Sequence, residues 1–145
     1  MSTPYEDVFK SFLNKIEDAD LPRFDEGDQL DLMLGWMNEA LAMMDVRNIH
    51  IQADMQSRDD DLLEFTDDLN NTEIEILAML MVAAWYSPKI NSLETTLLMS
   101  GHSGDKWSSQ KDHLNGMKEV QGYWISRAMK LYRDRGVLGG SYFNS

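Results

Sequence analysis

Ile76-Leu77-Ala78-Met79-Leu80-Met81-Val82-Ala83-Ala84-Trp85-Tyr86 is the stretch that decides the fold. All eleven side chains are apolar or aromatic. A bilayer span needs about 20 such residues, so this run is too short to cross a membrane. Thr72, with Glu75 three residues on, reads as a capping box at a helix start. Pro88 reads as the stop. A helix that is apolar on every side offers no face to water, so it is expected at the centre of a bundle, buried by its neighbours.

Upstream, Thr3, Pro4 and Glu6 supply an N-cap, a first-turn proline and a capping acid. The helix they open carries Tyr5, Val8, Phe9, Phe12, Leu13 and Ile16 on one stripe of period 3.6. A second helix starts near Asp25 or Glu26, where acids meet the positive end of the helix dipole. Its apolar residues Leu30, Met33, Leu34, Trp36, Met37, Ala40, Leu41 and Met44 cover more than one face, which predicts two packing neighbours. Gly35 costs this helix about 1 kcal/mol against Ala and reads as a place for a close helix crossing. Residues 45–71 read as an ordered loop with at most a short helical turn, pinned by Leu62, Leu63, Phe65 and Leu69.

Downstream of Pro88, a short helix is expected over residues 92–100 on Leu93, Leu97 and Leu98, with Gly101 as its stop. Residues 102–108 read as a loop that holds Trp107. A long last helix is expected over residues 109–135, with Leu114, Met117, Gln121, Trp124, Ala128 and Leu131 on its inner stripe. Lys130, Arg133 and Arg135 sit in its last turns, where positive charge suits the dipole. The expected architecture is therefore all-α: a bundle of about five helices over residues 1–135 and an extended C-terminal arm over residues 136–145. The arm is uncharged and carries Val137, Leu138, Tyr142 and Phe143 among three glycines. It cannot fold alone. It is either a segment that orders on a partner or a frayed chain end.

A chain of 145 residues suits one domain and buries roughly 70% of its extended surface on folding. There is no cysteine, which excludes a disulfide framework, a thiolate zinc site and a cysteine nucleophile. No basic-then-apolar leader and no membrane span is visible, so the expectation is a soluble protein that is not secreted. Lys and Arg total 13 against 25 Asp and Glu, a net charge of −12. Residues 1–75 hold 20 acids and five bases, and residues 76–145 hold five acids and eight bases. Such a chain is poorly suited to wrapping phosphates over its general surface. Its acidic part is either a solvated surface or a face that repels a polyanion or meets a basic partner.

Motifs for catalysis are missing. His50, His102 and His113 show no zinc-ligand spacing. Asp59, Asp60, Asp61, Asp67 and Asp68 lack the central glycine and distal glutamate of a calcium loop. There is no G-x-S-x-G elbow, P-loop or dinucleotide fingerprint. A magnesium-dependent helical hydrolase would need acids projecting from facing helices, and these lie mostly in one loop. The expectation is a non-enzymatic protein with no metal and no cofactor. The eleven methionines, at helical spacing, read as core filling. Trp36, Trp85 and Trp124 fall in helical stripes and read as core, while Trp107 falls outside them and is the candidate interface residue.

Four blocks of the chain resemble the small neck proteins of tailed bacteriophages. They are residues 5–16 (YEDVFKSFLNKI); Arg58-Asp59-Asp60 with Phe65 and Asp68-Leu69; residues 73–82 (EIEILAMLMV) with Trp85 and residues 88–91 (PKIN); and residues 109–114 (SQKDHL). The family they resemble is the head-tail connector, or adaptor, proteins.

The resemblance implies an all-α structural subunit of the virion neck, made in the host cytoplasm. It implies a homo-oligomeric ring, commonly of twelve copies, beneath the portal protein and above the next neck or tail-completion protein. DNA would pass through the channel without sequence-specific binding, and no membrane is involved. The arm residues Val137, Leu138, Tyr142 and Phe143 would dock on the portal. Asp59, Asp60, Asp61, Asp67 and Asp68 would face the channel, where acids repel phosphates within a Debye length of roughly 8–10 Å. Trp107 and the last helix would contact a neighbouring subunit. The rival expectation, from charge alone, is an acidic helical regulator or DNA mimic that binds a basic partner one to one.

Overall fold

Asn70 opens the central helix. Its side chain accepts a hydrogen bond from the Glu73 N–H at 2.8 Å, and the Glu73 carboxylate accepts from the Asn70 N–H at 2.9 Å. This reciprocal box stands two residues before the one expected at Thr72, and it leaves Glu75 to pair elsewhere. The computed structural model describes residues 2–18, 21–49, 54–101 and 104–136. Within it the central helix, α3 in chain order, runs over Asn71–Met99. Its 29 residues span about 43 Å.

The first helix, α1, covers Tyr5–Leu13, and the second, α2, covers Glu26–Val46. The last, α4, covers Asp105–Leu131 and runs into a π-helical turn over Tyr132–Gly136. Three two-residue strands, β1 (Thr3–Pro4), β2 (Arg58–Asp59) and β3 (Glu64–Phe65), form an antiparallel sheet in the order β1–β3–β2. Both Thr3 and Arg58 stand opposite Phe65. The molecule is thus mainly helical, with four α-helices and a small sheet among the described residues.

Helices α1, α2 and α4 each pack on α3. From Ile76 to Trp85 no residue of α3 is more than 8% exposed, which is the all-round burial its composition demands. Met37, Ala40, Leu41 and Met44 of α2 and Tyr5, Val8, Phe9 and Phe12 of α1 are buried around it. Trp36 of α2 also reaches the Phe12 ring of α1, 5.5 Å between centroids. A second, smaller cluster of Ile90, Leu97 and Leu114, joined by Leu93, Trp107 and Met117, continues along the paired ends of α3 and α4.

Several expectations are corrected. Pro88 does not end α3; it lies inside the helix. Proline lacks the N–H that would bond the carbonyl four residues back. Packing on both sides of Pro88 holds the helix together across that gap. Gln121 of α4 also donates from Nε2 to the Ala83 carbonyl and to Ser87 Oγ, both at 2.9 Å. The short helix expected over residues 92–100 is therefore the continuation of α3, and four helices replace about five. Thr3 is not an N-cap; Pro4 holds that position with no side-chain cap bond, and Thr3 belongs to β1. The loop expected over residues 45–71 contains the β2–β3 hairpin. Trp107 is not in a loop, because α4 begins at Asp105. Gly104 precedes it with φ of 105°, a conformation that favours glycine and lets the chain turn into the helix early.

Gly35 is exposed, and a Cβ built there would meet nothing within 4 Å. No helix of the described chain crosses closely at this point. Gly35→Ala is expected to stabilise the dilute protein by about 1 kcal/mol, seen as a raised urea midpoint at unchanged slope. An unaltered or lowered midpoint would mean that Gly35 serves a contact within the fold.

Candidate functional site: the acidic hairpin and the outer face of α4

The hairpin is built around the N-terminal strand. Thr3 Oγ1 donates to the Asp67 carbonyl at 3.2 Å and accepts from the Leu69 N–H at 2.8 Å. The Tyr5 N–H donates to the Leu63 carbonyl at 2.9 Å. The Tyr5 ring stands edge-on to Phe65 with centroids 4.9 Å apart, and its hydroxyl donates to Asp60 Oδ1 at 2.7 Å. Burial of the ring, followed by the bond to the Asp60 carboxylate, pushes the phenol well above its ordinary value near 10. Arg58 acts in the opposite direction and is outweighed.

The candidate channel acids divide into two groups. Asp59 Oδ1 accepts from the N–H groups of Asp61 and Leu62 at 2.9 and 3.0 Å, closing the tip of the hairpin. Leu63 there takes a φ of 55°. Asp67 Oδ2 accepts from the Asp54 N–H at 2.7 Å. Asp59, Asp60 and Asp67 thus hold the local structure together. Asp61 and Asp68 are exposed, and their side chains accept no hydrogen bond among the described residues. The five acids therefore lie close together at and just beyond the hairpin, four exposed and Asp67 half-buried, but only Asp61 and Asp68 have side chains with no local bonding role.

Helix α4 buries only Leu114 and Ala128 outright. Its outward side carries Val120, Tyr123, Arg127 and Lys130 at spacings of three and four, one continuous stripe. Tyr123 is 55% exposed. The Arg127 guanidinium lies 5.7 Å from the Tyr123 ring and 5.2 Å from the Trp124 ring. Lys130 donates to Asp134 at 2.8 Å and holds that carboxyl below its ordinary range. The outer stripe of this helix is mixed in polarity and does not stand out in the sequence as the apolar inner stripe does. The same three-four spacing of Val120, Tyr123, Arg127 and Lys130 was the available signal.

Trp107 is half-buried and packs with the Ile90–Leu97–Leu114 cluster, with Lys111 Nζ 5.1 Å above its ring. Val137, Leu138, Tyr142 and Phe143 lie outside the described residues. Among the described residues no group of three His, Asp or Glu is placed to hold a metal ion, and no helix is long and apolar enough to cross a membrane. Comparison with family models, curated proteins and solved structures found no match.

Tyr5→Phe is expected to lower stability at pH 7 by about 1–2 kcal/mol, since it removes a hydrogen bond to a charged acceptor. The phenol is raised in the folded state, so its contribution is fully present below pH 10 and is lost as the pH climbs beyond it. Urea unfolding from pH 7 to 11 should therefore show a steeper alkaline loss for the wild type than for the variant. Parallel curves would show that the hydroxyl is not what couples stability to alkaline pH.

Proposed function

We propose that the chain is a head-tail connector subunit of a tailed bacteriophage, a non-enzymatic protein that rings the portal exit and lines the DNA channel. The observation that carries this reading is where the resembling blocks fall. Residues 5–16 make α1 and its cross-links, residues 58–69 make the hairpin, and residues 73–91 make the buried half of α3. These blocks pair with one another through Tyr5, Phe65 and Glu75. Three of the four resembling blocks thus concern the interlocking centre of the fold, and the fourth, residues 109–114, lies on α4. The exposed acids of the hairpin also support it, because a conduit must not retain the polyanion that crosses it.

Two tests follow from this reading. Removing residues 136–145 is expected to abolish co-elution with the portal ring in size exclusion with light scattering, while the helical circular dichroism persists. Portal binding by the shortened chain would remove the arm from the contact. Asp61→Lys with Asp68→Lys leaves the hairpin's own hydrogen bonds intact. In assembled particles it is expected to slow DNA exit without changing ring mass. Ejection at the normal rate would take these acids out of the channel.

A further inference from the structure

The positive charge of this chain is concentrated. Four of its 13 bases, Arg127, Lys130, Arg133 and Arg135, fall within the nine residues from Arg127 to Arg135. All four are exposed. Arg127 and Lys130 continue the outward stripe of Val120 and Tyr123. Arg127, stacked on two rings, is held in place before any contact is made, so little rotamer freedom remains to be lost on binding. An exposed tyrosine beside a stacked arginine is the residue pairing found at the energetic centre of protein interfaces.

Helix α2 is the opposite in charge. It carries five acids, Glu26, Asp28, Asp31, Glu39 and Asp45, and no base. All five are exposed. Exposed Gly35 and Ala42 between them leave the helix surface low, with room for a bulky side chain. The hairpin acids are less suitable partners, because Asp59, Asp60 and Asp67 already accept hydrogen bonds that hold the hairpin and its surroundings together. Within one chain both α2 and α4 pack on α3 and make little contact with each other.

We propose that the outward stripe of α4, centred on Tyr123 and Arg127, docks on the acidic outer face of α2 in a second copy of this chain. Two different faces meet in such a contact, so it is heterologous and repeats from copy to copy, which closes into a ring when the rotation permits. The inference rests on the connector reading and supplies its subunit interface. It also answers a physical difficulty: copies with a net charge of −12 repel one another unless the surfaces that meet are of opposite sign.

The test uses charge reversal on the full chain. One variant carries Arg127→Glu with Lys130→Glu, and the other Asp31→Lys with Glu39→Lys. All four positions are exposed, and far-UV circular dichroism checks that both variants fold. Mass is measured by light scattering over a concentration series at low salt, alone and with the candidate portal ring. The variants are compared in whichever condition the wild type assembles. Each variant is expected to weaken assembly roughly tenfold or more. An equal mixture should restore it, because the reversed α4 of one then faces the reversed α2 of the other. Added salt should weaken the wild-type assembly. Variants that assemble like the wild type, or a mixture that fails to restore assembly, overturn the α4–α2 contact and leave the connector reading standing. A wild type that is monomeric in every condition and ignores the portal overturns both.

Discussion

The rest of the molecule depends on keeping water from ten consecutive helical residues. Successive side chains on a helix point about 100° apart, so the stretch from Ile76 to Trp85 presents apolar groups around the whole circumference. One neighbour can cover only part of that surface. The fold answers with α1, α2 and α4, each packed on α3. Of these α1 is the weak member. Nine residues are too few for a stable isolated helix, so α1 must be fastened at both ends. The Thr3 and Tyr5 bonds to the hairpin fasten its start. Lys15, just beyond its end, pairs with Glu75 of α3 at 2.6 Å while Ser11 donates to the same carboxylate. The Lys15 side chain is only 14% exposed. An ammonium group in that setting needs its partner, because an uncompensated buried charge is strongly destabilising.

This accounts for a sheet in a helical protein. Each strand is two residues long and could not stand alone. Its purpose is positional. The sheet joins the N-terminus to residues 58–65 and so sets Tyr5 and Phe65 against each other beneath the hairpin tip. The hairpin acids are exposed for the same reason. Their backbone is tied down by Asp59 and Asp67 carboxylates, and their side chains project from a loop that is itself anchored by a buried tyrosine.

The long elements were legible because their periodicity extends over several turns. The starts of the central helix, α1 and α2 lie within about two residues of where the sequence places them, although the Thr3 cap is not formed and the central helix runs on past Pro88 to Met99. The strands were not legible, because two residues cannot display an alternation of period two. Pro88 misled for a definable reason. The rule that proline ends a helix concerns the local hydrogen bond, whereas the continuation of α3 is decided by Gln121 and Leu114, more than 20 residues away. The Gly and Ser around Trp107 point to a loop. In the structure Gly104 turns into α4 with a positive φ, and Ser108 and Ser109 are exposed residues of that helix. The five acids stand close together in the sequence. Their division into hairpin-building and outward groups required knowing which N–H groups lie beneath them.

The charge distribution gains a sharper meaning once the helices are placed. The paired ends of α3 and α4, residues 87–120, hold four bases (Lys89, Lys106, Lys111, Lys118) and four acids (Glu94, Asp105, Asp112, Glu119). That part is neutral. The imbalance belongs to the other end of the molecule, where α2 and the hairpin are acidic and the last turns of α4 are basic. In the proposed assembly the two acidic regions have separate tasks. The acids of α2 are offset by the cations of a neighbour's α4, which removes most of the repulsion between copies. The hairpin acids have no such counterpart: Arg58 is the only base between residues 54 and 70. They keep their full charge when the copies come together. A ring built this way neutralises the surfaces that must adhere and leaves charged the surface that must not, so assembly and passage of a polyanion make no conflicting demand on the same residues.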